Sequence, residues 1–214
     1  MSILTAKLPD CVEIDGKQYP VYTDFRNWVE FETLMTDGSR SLADKIVSAF
    51  ALCYHRDALP PDFEQAASAM VWFYGGETRK NGSSGGKKQK AVYSFEHDAD
   101  YIYSAFLAQY GIDLQTASLH WWQFKALFKS LGEENKICKI MEYRAIDLAK
   151  IKDKEQKAFY RKMKAHYRLP DMRSEEEKEA QEPAGRGGGV AQGGEATGPL
   201  PAGAAVPALP GAGR

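Results

Sequence analysis

The sequence predicts a mainly α protein: a single helical domain over residues 1–172, opened by a short N-terminal β-hairpin and followed by a disordered tail over 173–214. Three observations predict it. Apolar residues recur at three- and four-residue steps in five segments before residue 170, which is the spacing of one helix face, and two further segments are bounded as helices. Short polar residues precede most of these segments, and glycine or proline follows most of them, as helix caps and stops require. After Met172 the composition changes. Residues 173–182 are acidic, and 23 of the 32 residues from Pro183 are Gly, Ala or Pro. Such a stretch cannot offset its chain entropy by burial.

The hairpin comes first. Cys11 to Ile14 alternates in polarity, Asp15-Gly16 is a two-residue turn signal, and Gln18 to Tyr22 returns. Asp24 then caps a helix with Phe25, Trp28, Phe31, Leu34 and Met35 on one face, closed at Gly38. Ser41 caps a second, with Leu42, Ile46, Ala49, Phe50 and Cys53 on its buried side. Pro60-Pro61-Asp62 opens a third, which runs to Tyr74 and stops at Gly75-Gly76.

Residues 75–90 hold five Gly, five Lys or Arg and no apolar side chain, and read as a mobile basic surface loop. Helices resume over 98–110, with Tyr101, Ile102, Ala105, Phe106 and Gln109, and over 118–131, with Leu119, Trp122, Phe124, Leu127 and Phe128. Two more follow, over 133–149 with Ile137, Ile140, Met141 and Arg144, and over 153–168, before Pro170.

A chain of this size buries enough surface to fold without disulfides or metal. Cys11, Cys53 and Cys138 are odd in number and scattered, which fits a reducing compartment. The net charge of −1 selects no partner. The first residues, MSILTAKLPD, lack a signal peptide's apolar core, and the longest apolar run, Ala69 to Tyr74, is too short to span a bilayer. The expected location is therefore the cytoplasm in which the chain is made.

No catalytic, cofactor-binding or metal-binding constellation is expected, and the protein reads as a non-enzyme. His55, His97, His120 and His166 have no Cys or carboxylate at ligand spacing. Cys53 and Cys138 lie on apolar helix faces, where thiols are inert packing. The glycine-rich loop lacks the Gly-Lys-Ser/Thr of a phosphate-binding helix start.

The run His120-Trp121-Trp122 stands out, because adjacent indoles on a helix point about 100° apart. Trp122 aligns with Leu119 and Ala126 and reads as core. Trp121 aligns with Lys125 and Phe128 toward the edge of that face. It either covers the rim of the core or stands exposed as an anchor for a partner. Lys150 to Arg168 carries eight Lys or Arg against two acids, which is either a solvated face neutralised by the acidic stretch after it or a nucleic-acid surface.

Several runs together resemble a known family. They are Asp24-Phe25-Arg26-Asn27-Trp28 with Phe31-Glu32, then Tyr101-Ile102-Tyr103-Ser104-Ala105-Phe106 leading to Tyr110-Gly111-Ile112-Asp113-Leu114. Leu119-His120-Trp121-Trp122-Gln123-Phe124, Ile140-Met141-Glu142-Tyr143-Arg144 and Tyr167-Arg168-Leu169-Pro170 complete the set. The chain is similar over about residues 10–170 to small tail-assembly proteins of long-tailed phages and prophages of Gram-positive bacteria. The Gly/Ala/Pro tail departs from that pattern. The resemblance implies a gene just before that of the tape-measure protein. It also implies a role as a tail assembly chaperone, in the host cytoplasm and absent from the mature virion, with no catalytic residues. The expected partner is the tape-measure protein or another tail protein, with no nucleic acid, membrane or cofactor expected. Trp121, Phe128 and Trp28 are the candidate partner-binding residues. A structural tail or connector component and a phage nucleic-acid-binding protein are the competing readings.

Overall fold

Asp15 and Gly16 set the first element. In a computed structural model of the chain, which describes residues 3–76 and 91–171, both have positive φ, 50° and 74°. A two-residue type I′ turn needs that combination to follow the strand twist. It joins β1 (Cys11–Ile14) to an antiparallel β2 (Lys17–Pro20), with Ile14 opposite Lys17. Val12, Ile14 and Tyr19 are buried. Seven α-helices follow among the described residues: α1 (Phe25–Thr36), α2 (Leu42–Cys53), α3 (Phe63–Gly75), α4 (Ala99–Tyr110), α5 (Trp121–Lys129), α6 (Lys136–Ala145) and α7 (Lys154–His166). The fold is the mainly helical one with an N-terminal hairpin that the sequence predicts. The mobile loop expected at 75–90, apart from Gly75 and Gly76, and the tail expected from 173 lie outside the described residues.

Four helix starts follow from their caps. The side chains of Asp24, Ser41, Asp62 and Asp153 accept from the backbone N–H of Arg26, Asp44, Gln65 and Gln156 at 2.9, 3.1, 2.9 and 2.7 Å. Each satisfies a donor that the first helical turn leaves open, a contribution of about 1 kcal/mol.

The boundaries differ from expectation where a non-local contact or an Asx turn intervenes. α1 stops at Asp37 rather than Gly38, because the Asp37 carboxylate accepts from the Ser39 N–H and hydroxyl at 2.9 and 2.6 Å. α6 is shorter than 133–149. The Gln109 side chain, expected on a buried face, instead reaches across to accept from Gly132 N–H at 2.8 Å and the Asn135 amide at 2.7 Å. Asp147 then turns the chain by accepting from Ala149 N–H at 3.0 Å. On α2, Leu42 is exposed, and Ala49 and Cys53 carry the buried face.

Aromatic rings make up much of the core. Trp28 is fully buried and stacks on Phe73 with centroids 4.8 Å apart. Phe25, Phe124 and Phe106 form a second stack at 4.7 and 5.0 Å, which ties α1 to α5 and α4. The starts of α1 and α5 are held side by side. Phe25 N–H donates to the Leu119 carbonyl at 3.0 Å, and Trp121 N–H donates to the Thr23 carbonyl at 2.8 Å. Arg26 fastens the approach to α5 by donating to the Leu114 and Ala117 carbonyls at 2.6 and 3.0 Å.

A buried ion pair locks the second half. Arg144 on α6 meets Asp98, the residue before α4, with N–O distances of 2.6 and 2.9 Å. Asp98 is 2% exposed and also accepts from Ser94 N–H at 2.9 Å. Arg144 donates further to the Val92 carbonyl at 3.1 Å and the Tyr167 carbonyl at 2.6 Å. One guanidinium thus joins α6 to the segment before α4 and to the residue after α7. Each of its donors in this set meets an acceptor, which a buried charge requires.

Candidate functional site

The site is built around the end of α3. Gly76 takes φ +68° there, and its N–H closes the last turn onto the Trp72 and Phe73 carbonyls at 3.0 and 3.3 Å. A Cβ at that position would meet the Lys125 Nζ at 3.0 Å, so the backbone lies directly against that ammonium. The Phe73 and Tyr74 carbonyls at the helix end also accept from α5. The Trp122 indole N–H donates to Phe73 at 2.8 Å, and the Trp121 indole N–H donates to Tyr74 at 2.9 Å. The Lys125 ammonium also donates to the Tyr74 carbonyl. A cation and two indole donors at the C-terminus of a helix match its partial negative charge.

Beneath this end lies a carboxylate. Glu32 of α1 accepts from the Tyr74 hydroxyl, and the Tyr93 hydroxyl lies close to it. Burial pushes its carboxyl above the ordinary range, against the lowering effect of those hydroxyls and of Lys125. The Lys125 Nζ sits 5.3 Å from the Trp121 ring centroid and 5.9 Å from that of Tyr74, a cation–π arrangement. Burial, helped by Lys129, brings the Lys125 amine from 10.5 down to about 8.

That depression has a measurable sign. The folded state favours the neutral amine, so the unfolded chain binds more protons between pH 8 and 10.5, and stability rises with pH across that interval. Tyr74 and Tyr93, whose hydroxyls burial pushes up, act oppositely above pH 10 in any variant that keeps them. The stability of the protein minus that of Lys125→Met, read from urea denaturation, is therefore expected to rise between pH 7.5 and 9.5. A flat difference would show that the amine is solvated in the fold.

Both indoles are buried: Trp122 is core as expected, and Trp121 is neither rim nor exposed anchor. Trp121 is 1% exposed and lies between Trp28, Tyr74 and Phe124, so it is core and not rim. Trp122 is 9% exposed, at the edge, against Phe73 and Trp72. The reason is the start of α5. His120 stays extended as the cap, its Nδ1 accepting from Trp122 N–H at 3.0 Å and its Nε2 lying 2.9 Å from the Pro9 carbonyl. The helix thus begins at Trp121, turned toward α1 and α3. Trp28 is also buried, and Phe128 is half-buried against Tyr93 and Phe95 at 5.2 and 5.9 Å. Trp121 and Trp28 therefore present no surface to a partner in this structure.

The exposed indole is Trp72, which the sequence reading did not single out. It is 44% exposed beside Val71 at 38%, and its ring meets Trp122 edge-on at 5.7 Å. The signal was present. Ala66, Met70 and Phe73 form the buried stripe of α3 at four- and three-residue steps, and position 72 falls off that stripe.

Among the described residues, no group of three or more His, Cys, Asp and Glu side chains could hold a metal ion, and no helix is long and apolar enough to cross a membrane. Burial pushes the thiols of Cys11, Cys53 and Cys138 above their ordinary value, so they are held protonated. A family model described as Bacteriophage Gp15 protein matches residues 4–169.

The chain belongs to the Bacteriophage Gp15 protein family. The Gp15 match takes in the hairpin, all seven helices and the site at the end of α3. The acidic stretch and the Gly/Ala/Pro-rich stretch of this Gp15 protein lie beyond it. No curated protein and no solved structure matches the chain.

Proposed function

We propose that this Gp15 protein is a tail assembly chaperone of a long-tailed phage or prophage of a Gram-positive host. It binds an apolar-striped helical segment of the tape-measure protein and keeps it soluble while the tail tube forms. It acts by binding, without catalysis, in the host cytoplasm, and leaves before the virion is complete. The observation that carries this reading is the set of sequence runs that resemble the tail-assembly family, which fall almost wholly within the 4–169 bacteriophage match. Val71 and Trp72 support it physically. They offer an exposed apolar anchor on a helix whose end is fixed by three donors from α5.

Two tests address it. Mass spectrometry of purified particles separates a chaperone from a structural tail or connector component: the expected result is absence, and a stoichiometric copy number would establish the structural role. Trp72→Ala is expected to leave the melting temperature within a few degrees but to weaken tape-measure binding by tenfold or more, as loss of an interface anchor does. Unchanged binding would remove Trp72 from the contact surface.

A further inference from the structure

The proposed site leaves α7 unused. None of the thirteen residues of this helix, KEQKAFYRKMKAH, is buried, and Glu155 is its only acid. Tyr160, Met163 and Lys164 are half-buried, with Tyr160 ringed against Tyr143 of α6, and the Lys164 ammonium is committed to the Ile146 carbonyl at 2.6 Å. The opposite side is different. At 100° per residue, the exposed Lys154, Arg161 and Lys162 and the half-buried Lys157, which borders Lys164, fall within an arc of about 140°, with only Ala158 and Ala165 between them. Among the described residues none of these four cations forms an ion pair. Arg168 continues the row just past the helix.

We propose that this outer face of α7 binds the phosphate backbone of a nucleic acid without reading its sequence. Charge complementarity selects the occupant. The cations are spread along some 12 Å of helix at 1.5 Å per residue, which suits a row of phosphates recurring about every 3.4 Å of duplex axis on one strand better than a single acidic group. Alanines between them let a backbone approach closely. An apolar protein partner would find no large side chain on this face. An acidic polypeptide would gain less than a polyphosphate, whose binding releases condensed counterions.

The test uses the full chain and a fluorescent duplex of roughly 20 base pairs and random sequence, titrated by anisotropy across salt. Binding is expected at about 50 mM salt, with log K falling against log salt at a slope of about −3 to −4, one contact for each of the four cations. The triple change Lys157→Gln, Arg161→Gln, Lys162→Gln is expected to weaken binding more than tenfold and to flatten the slope by two to three units, with an unchanged melting curve. Four results would overturn the proposal. They are no binding at low salt, binding by the triple variant equal to that of the parent, and displacement of the duplex by poly-glutamate at equal charge. The fourth is binding that appears only when Glu175, Glu176, Glu177 and Glu179 are changed to Gln, which would assign the face to the chain's own acidic stretch. The chaperone reading stands or falls separately, since these residues lie outside the site at the end of α3.

Discussion

Changing Arg144 to Ala is expected to cost about 3–5 kcal/mol, as loss of one partner from a buried ion pair does. The damage lies in what is left behind. Asp98 would stay 2% exposed with its partner gone, and the Val92 and Tyr167 carbonyls would each lose a donor. At about 2–4 °C per kcal/mol for a domain of this size, the melting temperature should fall by roughly 10–15 °C. Added salt should not mimic the change, since a buried pair is poorly screened. The double variant Arg144→Met, Asp98→Leu should recover a substantial part of the loss, because replacing both charges removes the orphan. Thermal melts followed by circular dichroism read both. A loss under 1 kcal/mol in the single variant would mean that water reaches Asp98.

Trp121→Ala is the second large effect, expected at about 3–5 kcal/mol. Its indole is 1% exposed and contacts Trp28, Tyr74 and Phe124, so truncation opens a cavity at the meeting point of α1, α3 and α5. It also removes one donor from the Tyr74 carbonyl and one face from the cation–π arrangement of Lys125. Trp122→Ala should cost less, since its ring is at the edge of the core, although the Phe73 carbonyl loses its indole donor. Urea denaturation of the three indole variants should therefore rank them Trp121, Trp122, Trp72 in order of loss. Equal losses at positions 121 and 72 would contradict the burial described here.

Local features of the fold were legible in the sequence. The Asp15-Gly16 turn and the caps at Asp24, Ser41, Asp62 and Asp153 depend on groups within three residues, so residue type alone identifies them. The buried stripe of α3 follows from its own periodicity. What failed to show depends on distant partners. That Trp121 is buried along with Trp122 is decided by where α5 begins. That is fixed by Thr23 and Pro9, which hold His120 and the Trp121 N–H from the other end of the chain. The Asp98–Arg144 pair spans 46 positions, and the sequence shows only that Arg144 falls in line with Ile137, Ile140 and Met141, not which carboxylate meets it. Glu32 was visible only as one residue of a shared run, and its burial beneath Tyr74 comes from the packing of α1 on the end of α3. The exposed Trp72 was readable from helical spacing, since position 72 lies off the stripe of Ala66, Met70 and Phe73.

Co-expression of this protein with the long tape-measure protein of the same phage or prophage tests the proposed chaperone role most directly. The quantity to measure is the fraction of that long protein in the soluble extract, together with its recovery on the tagged Gp15 protein at low and moderate salt. A chaperone that works through an apolar anchor should raise the soluble fraction several-fold and hold the complex at both salt concentrations, because screening removes only exposed charge contacts. An equally insoluble partner with and without this protein, and no complex at either salt concentration, would contradict the account.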